Sequence, residues 1–427
     1  MGNYRRKRLT LLVVIGVIGF LVISGAKDAE ARDFKGTLKI AEIGVLSGRG
    51  VKGGVPVHNG LIHYVRYINE EKGGIAGYKL EVESFDGKLD PALMIPASKR
   101  YSDELKVKFI YNVMATFFSG LIDIAQEKKC VVMSMSGTQK QAILSKEEEA
   151  AGKENYFFSH TPIIASRMAT AMDIIKKDWA TKQKKGSPKV AGFNWDNVTG
   201  RTADKAARFY AKRAGFEWVG STYHETQIMD AVSQVANLKR WGADYIVGSY
   251  TNAAAITVFV KEMARMKYHA TVLHHNELAT AYLETHDPAF EGHMAYAYTA
   301  TWKDTNVPEI ALMHKLNKKW FGNAPDRIPY YVAGWHAAKV FSEGLRIGVE
   351  RFGADNLTGP NVKEAFESIK NMDMNGLSSP MTYNRWDHQG SHGLQWLKCE
   401  GGKLVPVSGF VDSPPLTDEQ RSSKFWK

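Results

Sequence analysis

Ser134-Met135-Ser136-Gly137-Thr138 sets three hydroxyl groups around a glycine, so side-chain O–H and backbone N–H donors fall at one place. That donor set can hold a carboxylate without a full counter-charge; the plainer alternative is a polar loop. Gly48, Gly50 and Gly53 spell G-x-G-x-x-G, the spacing of a dinucleotide phosphate cradle. Such a cradle should open a helix and be followed about 20 residues later by an acid for the ribose. Here Pro56 reads as the first turn of the helix, and the first acid ending a second strand is Asp86, so the nucleotide reading is the weaker one. His274-His275 and His388 with His392 are the best metal candidates, and each reads better as a core or surface histidine. With no H-E-x-x-H, no G-x-S-x-G and no paired-cysteine spacing, neither an enzyme nor a cofactor is expected.

These loops need elements to carry them. Leu38, Ile40, Ile43, Val45 and Leu46 form a short apolar run, as a strand covered on both faces requires. Val57, Leu61, Val65 and Ile68 then recur with helical spacing, and Gly73-Gly74 ends that helix. Strands over 79–85, 107–113 and 130–133 alternate with helices over 91–105 and 117–129. Such alternation predicts βαβ units and a parallel sheet, with ligands beyond the strands' carboxyl ends. After a charged stretch at 139–155, expected to be exposed, and an extended crossover at 157–162, a second block repeats the rhythm. Its strands are predicted over 189–193, 216–222, 243–247 and 270–273, and its helices near 165–179, 202–214, 229–241 and 253–266. The carboxyl-edge loops of this block are 194–200, 248–252 and 274–277. Two similar lobes joined by crossovers would enclose a cleft. Helices over 308–321, 330–349 and 362–369 and three short strand-like pieces between 381 and 407 complete the chain, before a tail that wraps or frays.

The chain has 427 residues and a formal charge of +11. Arg5, Arg6, Lys7 and Arg8 precede an apolar run from Leu9 to Ile23, and Ala29-Glu30-Ala31 supplies a small-residue cleavage site. Residues 1–31 are therefore read as a signal peptide, with an uncleaved anchor as the alternative, and the mature protein as periplasmic. Cleavage would remove five basic and two acidic groups and leave a net charge of +8. The densest basic stretch, around Gly186-Ser187-Pro188, reads as a solvated helix end rather than a nucleic-acid patch. Cys130 and Cys399 are the only thiols and are expected to remain unpaired.

Several strings make the chain resemble the periplasmic solute-binding proteins of the branched-chain amino acid type. They are GVLSG at Gly44–Gly48, YINEEKGGIAG at Tyr67–Gly77, FDGKLDP at Phe85–Pro91, MSMSGT at Met133–Thr138 and YYVAGWHAAKVFSEGLR at Tyr330–Arg346. The resemblance implies an α/β two-lobed clamshell, each lobe a parallel-sheet βαβ sandwich, joined by three hinge crossovers. On that plan residues 32–158 with 298–379 form the first lobe and 159–297 with 380–410 the second, and 411–427 is the tail. It also implies a monomeric, non-enzymatic protein that delivers an amino acid or small, even aromatic, carboxylate to an ABC transporter permease. An exported sensor for a receptor is the alternative, and an exported two-lobed enzyme a weaker one.

In such proteins the first lobe holds the ligand carboxylate, here through Ala115, Thr116, Ser136 and Thr138. The second lobe closes over the ammonium with a ring and an acid, here Tyr250 and Glu277 or its neighbour Asn276. The sequence departs from the family where an aromatic is common, placing Thr199 before Gly200. Trp195, in the same loop, could supply the missing ring, and together with Phe117 and Phe118 would suit a larger or aromatic acid.

Overall fold

The computed structural model describes residues 33–422 apart from 49, 116–118, 183–184, 226–227, 250 and 324, so the signal peptide read over 1–31 lies outside the described residues. Two sheets organise the chain. The first contains β1 (Thr37–Gly44), β2 (Lys79–Asp86), β3 (Phe109–Asn112), β4 (Val131–Ser134) and β5 (Phe157–Ser159), all parallel, in the order β2-β1-β3-β4-β5. The second starts with parallel β6 (Lys189–Trp195), β7 (Glu217–His224), β8 (Tyr245–Val247), β9 (Thr271–His274) and β10 (Met294–Ala297). Antiparallel β11 (Gly393–Glu400) and β12 (Lys403–Pro406) extend it, giving the order β12-β11-β10-β9-β8-β6-β7, and β13 (Val411–Asp412) pairs with β11.

The first lobe carries α1 (Val51–Lys72), α2 (Pro91–Glu104), α3 (Ser119–Glu127), α4 (Gln139–Ala142) and α5 (Lys146–Ala150). The second carries α6 (Ile164–Thr181), α7 (Val198–Arg213), α8 (Val232–Trp241), α9 (Ala253–Arg265) and α10 (Asn276–Thr285). The chain then returns to the first lobe with α11 (Pro308–Phe321), α12 (Pro329–Phe352) and α13 (Gly359–Glu367), before crossing once more to β11. This is the two-lobed α/β clamshell, with three crossings between the lobes. No described helix is long and apolar enough to cross a membrane.

In each sheet the strand order reverses beside the first strand, between β1 and β3 and between β6 and β8. Loops leaving a parallel sheet to either side of such a point diverge and leave a crevice. Both crevices belong to the same cleft, described below.

Three local expectations are corrected. Helix α1 starts at Val51, ahead of Pro56, because Gly50 adopts a left-handed N-cap (φ 87°) whose carbonyl accepts from the Gly53 and Gly54 amides. Pro56 falls in the second turn, where only one ladder bond is lost. The glycine run thus does open a helix, yet Asp86 is already engaged by its own lobe: its carboxylate accepts from Leu46 N, Ser47 N, Ser47 Oγ and Lys88 N. Burial pushes the Asp86 carboxyl up, but these donors, led by the Ser47 hydroxyl, hold it below its ordinary value.

Residues 139–155 are not simply exposed. The Thr138/Gln141 and Ser145/Glu148 pairs form capping boxes for α4 and α5, and Ile143 and Leu144 between them are buried. Residues 276–285, read as loop at their start, form α10. The tail wraps: Ser413 N donates to His392 O, Gln420 Nε2 to the Tyr210 hydroxyl on α7, and Arg421 pairs with Glu149 on α5 while stacking on Trp386.

Helix α12 crosses α1 at backbone contact, and this crossing is the centre of the first lobe's outer layer. A Cβ added at Gly60 would lie 2.0 Å from Tyr331 O, and one at Gly334 would lie 1.9 Å from Val57 O. Trp335 fills the adjoining space, edge-on to Tyr64 (5.1 Å, 86°) and stacked near Tyr67 (5.9 Å, 24°).

Both cysteines are free and fully buried, Cys130 beside β4 and Cys399 in β11. Burial pushes each thiol up to about 12. Because the thiolate is the reactive form, neither cysteine should be alkylated by iodoacetamide in the native protein. Both should react in denaturant. Mass spectrometry after a native pulse checks this, and labelling of either residue would contradict its burial.

Candidate functional site

A cleft of about 820 Å³ lies at the carboxyl edges of the two sheets. The first lobe contributes Gly48, Gly50 and Val51 after β1, Val113 and Met114 after β3, Met135 and Ser136 after β4, and Tyr330 at the start of α12. The second contributes Trp195 at the end of β6, Thr251–Ala255 leading into α9, His275, Glu277 and Thr280 in or beside the first turns of α10, and Glu284 in its last turn. Helix α6, just past the first crossover, contributes Arg167. A smaller, more open hollow of about 330 Å³ lies beside β7 and shares Ile228 and Met229 with the cleft, forming its shoulder.

Two buried charges define the chemistry. Arg167 is only 1% exposed. Its Nε donates to Pro162 O (2.8 Å), and its Nη2 donates to Ser136 Oγ (3.1 Å) and Thr161 Oγ1 (2.9 Å). These bonds fix the planar guanidinium in the wall of the cleft, where an always-charged, planar donor is suited to an anion.

Glu277 sits on α10, where the helix dipole favours a carboxylate. Its Oε2 is in close contact with His275 Nδ1, and its Oε1 accepts from the Tyr330 hydroxyl at 2.9 Å. Burial pushes the Glu277 carboxyl up, but its contacts with His275 and His274 outweigh that, and it sits below its ordinary value. Burial lowers the His275 imidazole and raises the Tyr330 hydroxyl, which is raised further by Glu277, so both act as neutral donors to an anionic carboxylate. The Tyr330–Glu277 bond joins the first lobe to the second across the cleft.

Behind the cleft the crossovers are tied by a chain of imidazoles. His160 Nδ1 meets His336 Nδ1 at 2.9 Å, and His336 Nε2 meets Ser378 Oγ at 3.0 Å. Burial and the neighbouring charges lower both, His336 to about 3, so one neutral ring donates and the other accepts.

Of the ligand-binding residues singled out in the sequence, Ser136, Trp195 and Glu277 line the cleft, as do Gly48, Gly50 and Gly53 of the glycine run. Ala115 is fully buried, Thr138 caps α4, Thr199 is buried in the first turn of α7, and Asn276 is buried at the first position of α10; none of these four is a lining residue. Thr116, Tyr250, Phe117 and Phe118 lie outside the described residues. Arg167, Thr280 and Tyr330 were missed as site residues, and His275 was named only as a metal candidate and as part of a carboxyl-edge loop. Arg167 had a readable signal, as the lone basic residue in the apolar and small-residue run from Pro162 to Met172. His274 and His388 are buried, and among the described residues no group of three or more His, Cys, Asp or Glu is placed to hold a metal ion.

A family model described as periplasmic binding protein matches residues 37–403. Among solved structures, the chain is similar to an ABC transporter substrate-binding protein from Aeropyrum pernix, with 16% identity, 90% of this chain and 98% of the other covered, and a TM-score of 0.74. A branched-chain amino acid ABC transporter protein from Thermus thermophilus, solved with bound valine, matches at 19% identity over 89% and 97% of the two chains, TM-score 0.72. A fatty acid ABC transporter substrate-binding protein from Thermomonospora curvata matches at 18% identity over 90% and 94%, TM-score 0.72. No curated protein sequence matches significantly. Likeness at these identities speaks for the fold, and the family match covers most of the chain: the protein belongs to the periplasmic binding protein family, with the type I two-lobed architecture.

Proposed function

We propose that this protein is the extracytoplasmic solute-binding component of an ABC importer. It captures an amino acid or related small carboxylate between its lobes and delivers it to a membrane permease. The observation that carries the reading is Arg167, a buried guanidinium facing an otherwise largely apolar cleft at the reversal points of both sheets. Ser136, bonded to Arg167 Nη2, comes from the first lobe, so an anion held there is in reach of groups on both sides of the hinge. Contacts with both lobes favour the closed state, and closure is what a permease can read. Similar structures described as ABC transporter substrate-binding proteins support the importer role.

The test is a thermal-shift screen of amino acids and other small carboxylates on protein purified without refolding, because a bound solute raises apparent stability. At least one carboxylate should raise Tm. Arg167→Gln should weaken its binding about tenfold to a hundredfold, the range of a charge-assisted hydrogen bond. Arg167→Lys, which keeps the charge, should fall between. Unchanged affinity in a folded Arg167→Gln protein would rule out this anchor.

A further inference from the structure

Strand order gives the cleft a length as well as a volume. On the first lobe its lining comes from the carboxyl ends of four neighbouring strands: Leu89 after β2, Gly50 after β1, Met114 after β3 and Ser136 after β4. On the second it comes from four more: Glu277 after β9, Thr251 after β8, Trp195 at the end of β6 and Ile228 after β7. Adjacent strands lie about 4.8 Å apart, so four in a row make the cleft about 14 Å long on either side.

This length does not come from lobes standing apart. Tyr330 of the first lobe already donates to Glu277 at 2.9 Å, and Lys52 on α1 faces Glu284 at 4.0 Å. Glu277 lies in the first turn of α10 and Glu284 in its last, so the lobes meet at both ends of that helix. About 820 Å³ still lies between them, toward the upper end of the roughly 300–1,000 Å³ usual for pockets that hold drug-sized molecules.

Polarity is unevenly spread along the cleft. Arg167 and Ser136 mark the β4 end of the first lobe, and His275 and Glu277 the β9 end of the second. These ends are neighbours, since the Arg167 charge helps to lower the His275 imidazole. Away from them the walls turn mainly apolar, with Val113, Met114 and Leu89 on one side and Trp195 and Ile228 on the other. In leucine four C–C bonds separate the carboxyl carbon from a methyl, a reach of at most about 6 Å. Held by its carboxylate at the polar end, such a molecule would leave more than half of the length empty and the apolar walls without contacts.

We propose that the solute is a carboxylic acid with an elongated apolar body, which reaches from the polar end of the cleft toward the loops after β2 and β7. This rests on the carboxylate reading above and narrows it by size; an α-amino group neither adds to the inference nor weakens it.

Calorimetric titration of the full-length protein tests it with two pairs of probes: phenylacetate against 5-phenylpentanoate, and the 2-amino derivatives of both. In the pair that binds more tightly, the longer member should bind at least tenfold more tightly than the shorter, because each buried CH₂ is worth about fourfold in affinity. Ile228→Asn, at the far wall, should weaken the longer member by about threefold or more beyond any effect on the shorter. A shorter member that binds as tightly as the longer, or an Ile228→Asn protein that treats both alike, overturns this inference and leaves the carboxylate reading standing. The corresponding alcohols, with CH₂OH in place of the carboxylate, identify the other failure. If they bind as well as the acids, or if none of the four acids binds, the carboxylate reading falls and takes the narrower one with it.

Discussion

Gly334→Ala is expected to destabilise the protein by about 3 kcal/mol, the upper part of the range for forcing a group into a packed interior. In an unencumbered helix the same change stabilises by up to about 1 kcal/mol, because alanine is the better helix former. The sign of the effect is therefore diagnostic. The new methyl at Gly334 would lie 1.9 Å from the Val57 carbonyl oxygen, with the Leu61 amide nitrogen 3.0 Å away. Backbone atoms cannot rotate aside as a flexible side chain can, so the two helices must separate. Gly60→Ala meets the Tyr331 carbonyl from the other side and should behave alike. Urea denaturation followed by circular dichroism measures both; a midpoint that is unchanged or raised would mean that α1 and α12 do not touch as described. Tyr330 opens α12, so a folded variant with a displaced helix should also bind its solute more weakly.

Lys339→Met should cost about 3–5 kcal/mol, the usual consequence of removing one partner from a buried ion pair. Glu309 is 2% exposed and Lys339 is 8% exposed, and Lys339 Nζ donates to Glu309 Oε2 at 2.5 Å. Glu309 also accepts from Trp335 Nε1 at 2.8 Å and Asn375 Nδ2 at 3.0 Å. Those two neutral donors would remain around an uncompensated carboxylate in the single variant. Glu309→Gln removes the charge and keeps one oxygen for Trp335 Nε1, while its NH₂ replaces Oε2 and can donate to Asn375 once that amide turns its oxygen inward, so the double variant should recover at least half of the loss. A double-mutant cycle in urea tests this, and additive effects would show that the two side chains do not share an interaction.

The lobes were legible in the sequence because their elements depend on local pattern. The apolar spacing of Val57, Leu61, Val65 and Ile68 identifies α1, and Pro308–Phe321 coincides with α11. Capping was harder to read, because polarity at Thr138, Gln141, Ser145 and Glu148 looks the same in an exposed loop as in two capped helices. The start of α1 was misplaced because proline is a strong first-turn residue, while the left-handed Gly50 is a tertiary fact.

The cleft was least accessible, since it is assembled by distance in space. Tyr330 and Glu277 come from different lobes and meet only when the chain has crossed back. Ser136, Trp195 and Glu277 could be placed because carboxyl-edge loops follow from strand order. Arg167 lies on a helix face instead, and looking only at strand ends passes over it.

The meeting of Gly60 with Gly334 also sets an order of events during biosynthesis. At about 5–20 residues per second, translation takes roughly a quarter of a minute or more to pass from one to the other. Throughout that interval the side of α1 that α12 will cover has no lid, so the portion of the lobe made first is the portion closed last. A ribosome that stalls anywhere before Pro329 releases a chain with that apolar stripe bare, a product prone to stick to its neighbours.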